Sequence, residues 1–200
     1  MPRPRKPKAA AAASSRLDGG AWIAAALEVL ASKGIEGVRV EILAKHLKIT
    51  KGSFYWHFKN RRALLDAMLN EWRRRATLVI IDRLESSHDP AVQRLQRLLR
   101  LQFDAASAAQ TAHVELSIRL WGRTDKKALE VLREIDGLRL RYIAGLFEEM
   151  GFEPSDARAR ALIAYSYMRV SRALIRADDT EVMTQCEQVL YGIKADTLRK

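Results

Sequence analysis

A single cysteine, Cys186, stands among 200 residues. That excludes an internal disulfide framework and any zinc site built on cysteines, and it suits a reducing compartment. No run of about 18 apolar residues occurs, so no segment reads as a membrane-spanning helix and no membrane partner is expected. The basic N-terminus runs into alanines and serines without the strongly apolar core of a secretory signal, and cytoplasm is the expected location. The four histidines, His46, His57, His88 and His113, lack metal-ligand spacing, and neither a glycine-rich phosphate loop nor a Gly-x-Ser-x-Gly turn is present. No catalytic residue, metal or cofactor is expected, and the chain does not read as an enzyme. Strand-like alternation is missing as well, so the expected fold is all-α with about nine helices.

Acids are scarce at one end only. Residues 1–65 hold 13 Lys and Arg against four acids, whereas residues 66–200 hold 22 against 20. Nine of the eleven excess positive charges therefore sit in the first third, which points to a polyanion-binding segment joined to a nearly neutral body. From Ile42 to Leu65 there is no acid, while Lys45, Lys48, Lys51, Lys59, Arg61 and Arg62 are basic, a balance suited to a surface that faces phosphates.

What is present divides the chain into a basic arm at residues 1–17, a DNA-binding segment at 18–62 and a larger body at 63–200. The arm, rich in proline, charge and small residues, cannot fold alone. It either lies along a minor groove and neighbouring phosphates or is a tail that raises non-specific affinity. Trp22, Ala26, Val29 and Leu30 predict a helix from Asp18 or Gly19, ended by Gly34. Val40, Leu43, Ala44 and Leu47 predict a second, and Thr50 a cap for a third covering Lys51–Phe58. A long helix with Leu65, Met68, Leu69 and Trp72 should run from Arg61 to about Leu84. Asp89 and Pro90, as cap and first residue, should open one bearing Val92, Leu95, Leu99 and Phe103. Further helices are expected around Leu116 and Leu120, from Asp125 to Met150, from Pro154 to Ile175, and from Val182 to Ile193.

Two short helices joined by a tight turn have the size of a helix-turn-helix, whose second helix enters the major groove of DNA. At 100° per residue Phe54 and Phe58 turn inward together, and Gly52 and Trp56 face the other way. The Tyr55 hydroxyl can donate to a phosphate, and Trp56 can pack on the backbone or a thymine methyl. Gly52 lets the helix tip approach the duplex, and Lys51 can swing toward a guanine edge or a phosphate.

The stretch VEILAKHLKITKGSFYWHFKNRRALLDAML, Val40 to Leu69, closely resembles the helix-turn-helix and following helix of the TetR family of bacterial transcriptional regulators. The resemblance covers about fifty residues and lies in an alanine in the first helix, an Ile-Thr turn, the run from Gly52 to Phe58, and a Leu-Leu helix. It implies a homodimer in which three helices bind double-stranded DNA, a fourth links them to a ligand-binding core, and the last two pair with their copies. Lys51, Ser53 and Trp56 match the family's base-contacting positions; Arg39, Tyr55, His57, Lys59 and Arg61 match its phosphate contacts. Together with Lys48, Thr50 and Gly52 these form the expected DNA-binding set. Two positions depart from the family pattern: Arg39 replaces the usual Ser/Thr cap and Lys48 the frequent glycine of the turn, each offering a phosphate contact instead.

In such a regulator the body senses a small molecule and the helix from Arg61 is the lever. Trp72, Phe103, His113, Trp121, Tyr142, Phe147 and Tyr165 are the candidates for a pocket, although aromatic residues at helical spacing also describe plain core. Leu162, Met168, Val182, Cys186, Val189 and Ile193 are the candidates for a dimer face. The expected function is a repressor released from an inverted-repeat operator by a small-molecule effector; the alternative is an architectural DNA-binding protein or an activator without ligand control.

Overall fold

The computed structural model describes residues 18–101, 103, 106–175 and 179–192, so the basic arm and Ile193 lie outside the described residues. The Asp18 carboxylate accepts from the Ala21 amide at 3.1 Å and opens α1, Gly19–Gly37. Trp22, Ala26, Val29 and Leu30 are all buried on its inner face. Gly34 breaks the helix where expected, at φ 66° and ψ −174°, a region closed to residues with a Cβ, and one further turn reaches Gly37. The short helices α2, Val40–His46, and α3, Lys51–Tyr55, follow.

α4, Arg61–Arg73, buries Leu64, Leu65, Met68, Leu69 and Trp72. It passes directly into a π-helical turn, Arg74–Leu78, and then α5, Val79–Ser86. The remaining elements are α6 (Ala91–Arg100), α7 (Ala106–Trp121), α8 (Lys126–Glu149), α9 (Pro154–Leu174) and α10 (Thr180–Tyr191). With the stretch from Arg61 to Ser86 taken as one, the described residues form nine helices and no strand.

Four local expectations are corrected. α3 ends at Tyr55, and Phe58 stays inward in the turn that follows, its amide bonded to the Phe54 carbonyl at 2.9 Å. α6 begins after Pro90, whose ψ of 146° is extended, and the Asp89 carboxylate takes Arg97 instead of capping. On α6 Ala91, Leu95, Leu98 and Leu99 lie inside while Val92 is exposed. On α7 the buried stripe is Val114, Ile118 and Trp121, while Leu116 and Leu120 face outward. Alternate apolar residues were available on either face of that helix, and periodicity alone does not say which one packs.

By packing, the chain forms two units. One joins the residues up to Arg73 with Ala112–Leu129; the other joins Arg74–Thr111 with the residues from Glu130 onward. The boundary at Arg73 falls where α-helical hydrogen bonding gives way to the π turn. The second unit has its own core, in which Leu95 and Leu99 pack with Ile143, Phe147, Ala161 and Tyr165. Two of its buried polar groups, Glu187 and Arg139, are held by several hydrogen bonds each. Glu187 accepts two bonds from Arg100, at 2.7 and 2.8 Å, and one from Gln96 at 3.2 Å. Arg139 donates to the Thr77 hydroxyl and the Ala76 carbonyl of the π turn and to the Tyr165 hydroxyl, at 2.9 to 3.0 Å.

Candidate DNA interface

The turn between α2 and α3 is built by backbone hydrogen bonds. The Ile49 amide reaches the Ala44 carbonyl at 3.0 Å and the Lys48 amide the Lys45 carbonyl at 3.2 Å, the paired pattern of a Schellman C-terminus. Lys48 occupies the left-handed position of that motif, at φ 56°. This accounts physically for glycine's frequency at the turn, and for strain where lysine replaces it. At the other end of α2, Arg39 makes no side-chain cap, so the substitution of a Ser/Thr cap leaves the helix start without that bond. Thr50 precedes α3 in extended conformation, likewise without a side-chain cap bond, and is exposed.

Two of the four rings in the opening of the reading helix hold it in place. Phe54 is fully buried, edge-on to Trp22 with ring centroids 5.2 Å apart, and Phe58 lies 5.5 Å from Phe54. The other two project from the surface: Tyr55 is 64% exposed and Trp56 87%. Lys51, Gly52, His57 and Lys59 are also exposed, and Ser53 is half-buried. An almost bare tryptophan has no explanation in the packing of this unit.

Arg61 stands apart from the expected phosphate contacts. Its Nε donates to the Val38 carbonyl at 2.6 Å and a terminal nitrogen to the Ile35 carbonyl at 2.8 Å. The guanidinium thus satisfies the C-terminal carbonyls of α1 and fixes the start of α4 against it, which makes Arg61 a positioning residue. Arg62 is engaged too, with Asp66 at 3.1 Å and Asp125 at 2.7 Å; these carboxylates raise its pKa above the usual range, the Asp125 hydrogen bond most. With Lys51, which Glu41 engages, three of the six cations that sequence alone assigned to the phosphate face therefore have partners within the protein.

Glu41 was missed by that assignment. It accepts from the Lys51 Nζ at 3.0 Å, a hydrogen bond that holds its carboxyl below the usual carboxylate range. The signal was in the sequence, one residue before the acid-free stretch begins.

The seven pocket candidates are divided. Trp72, Trp121 and His113 belong to the first unit, where the two tryptophans are buried and His113 is exposed. Trp121 borders a surface groove of about 230 Å³ with Ile35, Arg61, Arg62 and Asp125. Phe103, Tyr142, Phe147 and Tyr165 belong to the second unit, with Phe147 and Tyr165 inside its core and Tyr142 packed against it. Burial and the Glu85 carboxylate push the Tyr142 hydroxyl far up. On α9 and α10, Leu162 is 58% exposed and Val189 77%, Val182 is partly exposed, and Met168 and Cys186 are half-buried. Among the described residues no three His, Cys, Asp or Glu side chains converge as a metal site, and no helix is long and apolar enough to cross a membrane.

Residues 23–68 match the family model described as bacterial regulatory proteins, tetR family. They include the whole of the helix-turn-helix and the start of α4. This segment is similar to the DNA-binding domain of the tetR family. Over 54 residues it is 46% identical to the class G tetracycline repressor of Vibrio anguillarum, a stretch covering 27% of this chain and 26% of that protein. Over 57 residues it is 47% identical to the class D tetracycline repressor of Escherichia coli, covering 28% and 26%. The chain thus spans about a quarter of the length of these curated relatives. Its fold extends further. A transcriptional regulator from Rhodococcus sp. Rha1 aligns with a TM-score of 0.68 at 19% identity over 88% of this chain and 94% of its own. The regulator FadR of Bacillus subtilis, solved with stearoyl-CoA, aligns with a TM-score of 0.62 at 20% identity over 86% and 97%.

Proposed function

We propose that this chain is a TetR-family DNA-binding transcriptional regulator, acting as a homodimer on an inverted-repeat operator in the bacterial cytoplasm. The observation that carries the reading is the outward pair Tyr55 and Trp56, exposed on a face with Lys51, Gly52, Ser53, His57 and Lys59 while Phe54 and Phe58 hold the same segment from inside. Rings and ammonium groups on one exposed face suit sugar, phosphate and base edges together. Lys51, Ser53 and Trp56 read bases; Arg39, Lys48, Thr50, Tyr55, His57 and Lys59 meet the backbone.

A dimer supplies the second reading head, and the heads must meet successive major grooves about 34–36 Å apart. Supporting a dimer face on α9 and α10 is the exposed apolar row Leu162, Val170 and Leu174 with Val182 and Val189. The regulator is a repressor, and a small molecule bound by the second unit releases it by favouring a state in which the heads no longer fit the grooves. Tyr142, Phe147 and Tyr165, with Phe103, are the candidates for contacting that effector. The test is selection of bound duplexes from a random pool, followed by titration of the selected site. An inverted repeat should emerge with half-sites about one helical turn apart, and Lys59→Ala should weaken all sequences alike. Enrichment of no sequence would refute the reading. Val189→Asp should convert the dimer to monomer in sedimentation equilibrium and abolish binding to the paired site.

A further inference from the structure

We propose that Glu41 is a specificity-determining residue that reads a G·C base pair jointly with Lys51, an inference that rests on the DNA-reading role of α3. Glu41 is the sole acid in the sequence between residues 37 and 65. It is the second residue of α2, and Lys51 is the first of α3. The turn at Lys48 and Ile49 brings these two helix starts together, so that Lys51 Nζ donates to Glu41 Oε1 at 3.0 Å.

Both side chains remain about three-fifths exposed, 59% for Lys51 and 60% for Glu41. An exposed ion pair of this kind contributes little to folding. On a surface that meets phosphates, a carboxylate by itself opposes binding. An acid in the first turn of α2 favours the helix start, but that does not require a partner on α3, and general attraction to DNA does not account for the pair.

The chemistry of the major groove does. The Lys51 ammonium carries three donors, of which Glu41 occupies one, and Glu41 Oε1, which accepts that one, keeps a further lone pair. A G·C pair presents guanine N7 and O6 as neighbouring acceptors, with the cytosine N4 donor beside O6. O6 and N4 are hydrogen-bonded to each other and so lie about 2.9 Å apart. A donor and an acceptor held 3.0 Å apart match that edge, with Lys51 on O6 and N7 and Glu41 on N4. A T·A pair offers the same acceptor-then-donor order but places a methyl group where guanine has N7. The second free ammonium proton therefore selects G·C, and the order of the two side chains selects its orientation.

The test is selection from a random duplex pool with the wild-type chain, Glu41→Ala, Lys51→Ala and the double variant, followed by affinity measurement at several salt concentrations. The wild-type chain should enrich a G·C pair at one fixed position of each half-site. Glu41→Ala should lower the preference at that position about tenfold or more, leaving the other positions unchanged. Lys51→Ala should relax the same position, and the double variant should be no less selective there than either single one. Thermal unfolding should change only slightly, since both side chains are exposed and Glu41 contributes only as a first-turn acid of α2. The inference is overturned if Glu41→Ala tightens all sequences by one factor with a steeper salt dependence, because the acid then only repels phosphates. It is equally overturned if the two single variants relax different positions. Enrichment of no sequence by the wild-type chain would overturn the DNA-reading role itself, and this inference with it.

Discussion

Replacing Arg61 by alanine separates a structural cation from a DNA-contacting one. Two charge-assisted hydrogen bonds are lost, to the Val38 carbonyl and to the Ile35 carbonyl. Bonds to charged groups contribute about 1.5–3 kcal/mol each when fully sequestered. Here the loss is smaller, for two reasons. The Ile35 carbonyl keeps the Val38 amide at 3.2 Å, and Arg61 is half-buried beside a surface groove from which water can reach the vacated carbonyls. A total of about 2 kcal/mol is expected, a shift of roughly 30-fold in the folding equilibrium. With a urea dependence of about 2.5 kcal/mol per molar, the unfolding midpoint of the first unit should fall by roughly 0.8 M. Affinity for the selected DNA is measured in parallel as a function of salt. A residue that neutralises a phosphate changes the logarithmic salt slope by about 0.9. Lys59→Ala should lower the slope by that amount at unchanged stability, whereas Arg61→Ala should lower stability at unchanged slope. A wild-type midpoint for Arg61→Ala, together with a shallower slope, would refute the assignment of Arg61 to the interior.

Three further outcomes are expected. Gly52→Ala should leave stability unchanged or raise it by up to about 1 kcal/mol in thermal unfolding, since the added Cβ would meet only the Thr50 hydroxyl at 3.7 Å, yet it should weaken DNA binding by holding the helix tip away from the groove. Lys48→Gly should relieve the left-handed strain at φ 56° and stabilise the chain by up to about 1 kcal/mol, while a titration against salt shows a shallower slope. Arg139→Leu should destabilise the second unit by about 3–5 kcal/mol in urea unfolding, because three hydrogen bonds from a buried guanidinium to the π turn and Tyr165 are lost together.

The division of labour in the reading helix was legible from spacing. Phe54 and Phe58 are four residues apart, a spacing near the 3.6-residue period that keeps both inward even though α3 ends at Tyr55, because the Phe58 amide still bonds the Phe54 carbonyl. The same period places Trp56 opposite them, and the structure leaves it bare. Local chemistry likewise announced a helix start at Asp18 or Gly19 and a break at Gly34, because both depend on φ, ψ and side chains within a few residues. The failures have the opposite character. Leu116 and Leu120 repeat as regularly as Ile118 and Trp121, and nothing within α7 distinguishes the face that finds a partner. Asp89 could cap a helix, but Arg97 competes for its carboxylate.

The sequence by itself determined the helical class, the basic first third and the residues that can meet DNA, since these follow from composition and from contacts within one or two turns. Only the tertiary structure decided which charges are available. Arg61 reaches carbonyls 23 and 26 residues back along the chain, Arg62 an aspartate 63 residues ahead, and Lys51 a glutamate ten residues earlier across the turn. A cation carries the same charge wherever it stands. Whether it faces solvent or an acceptor is set by elements distant in sequence, and that separates a phosphate contact from a brace.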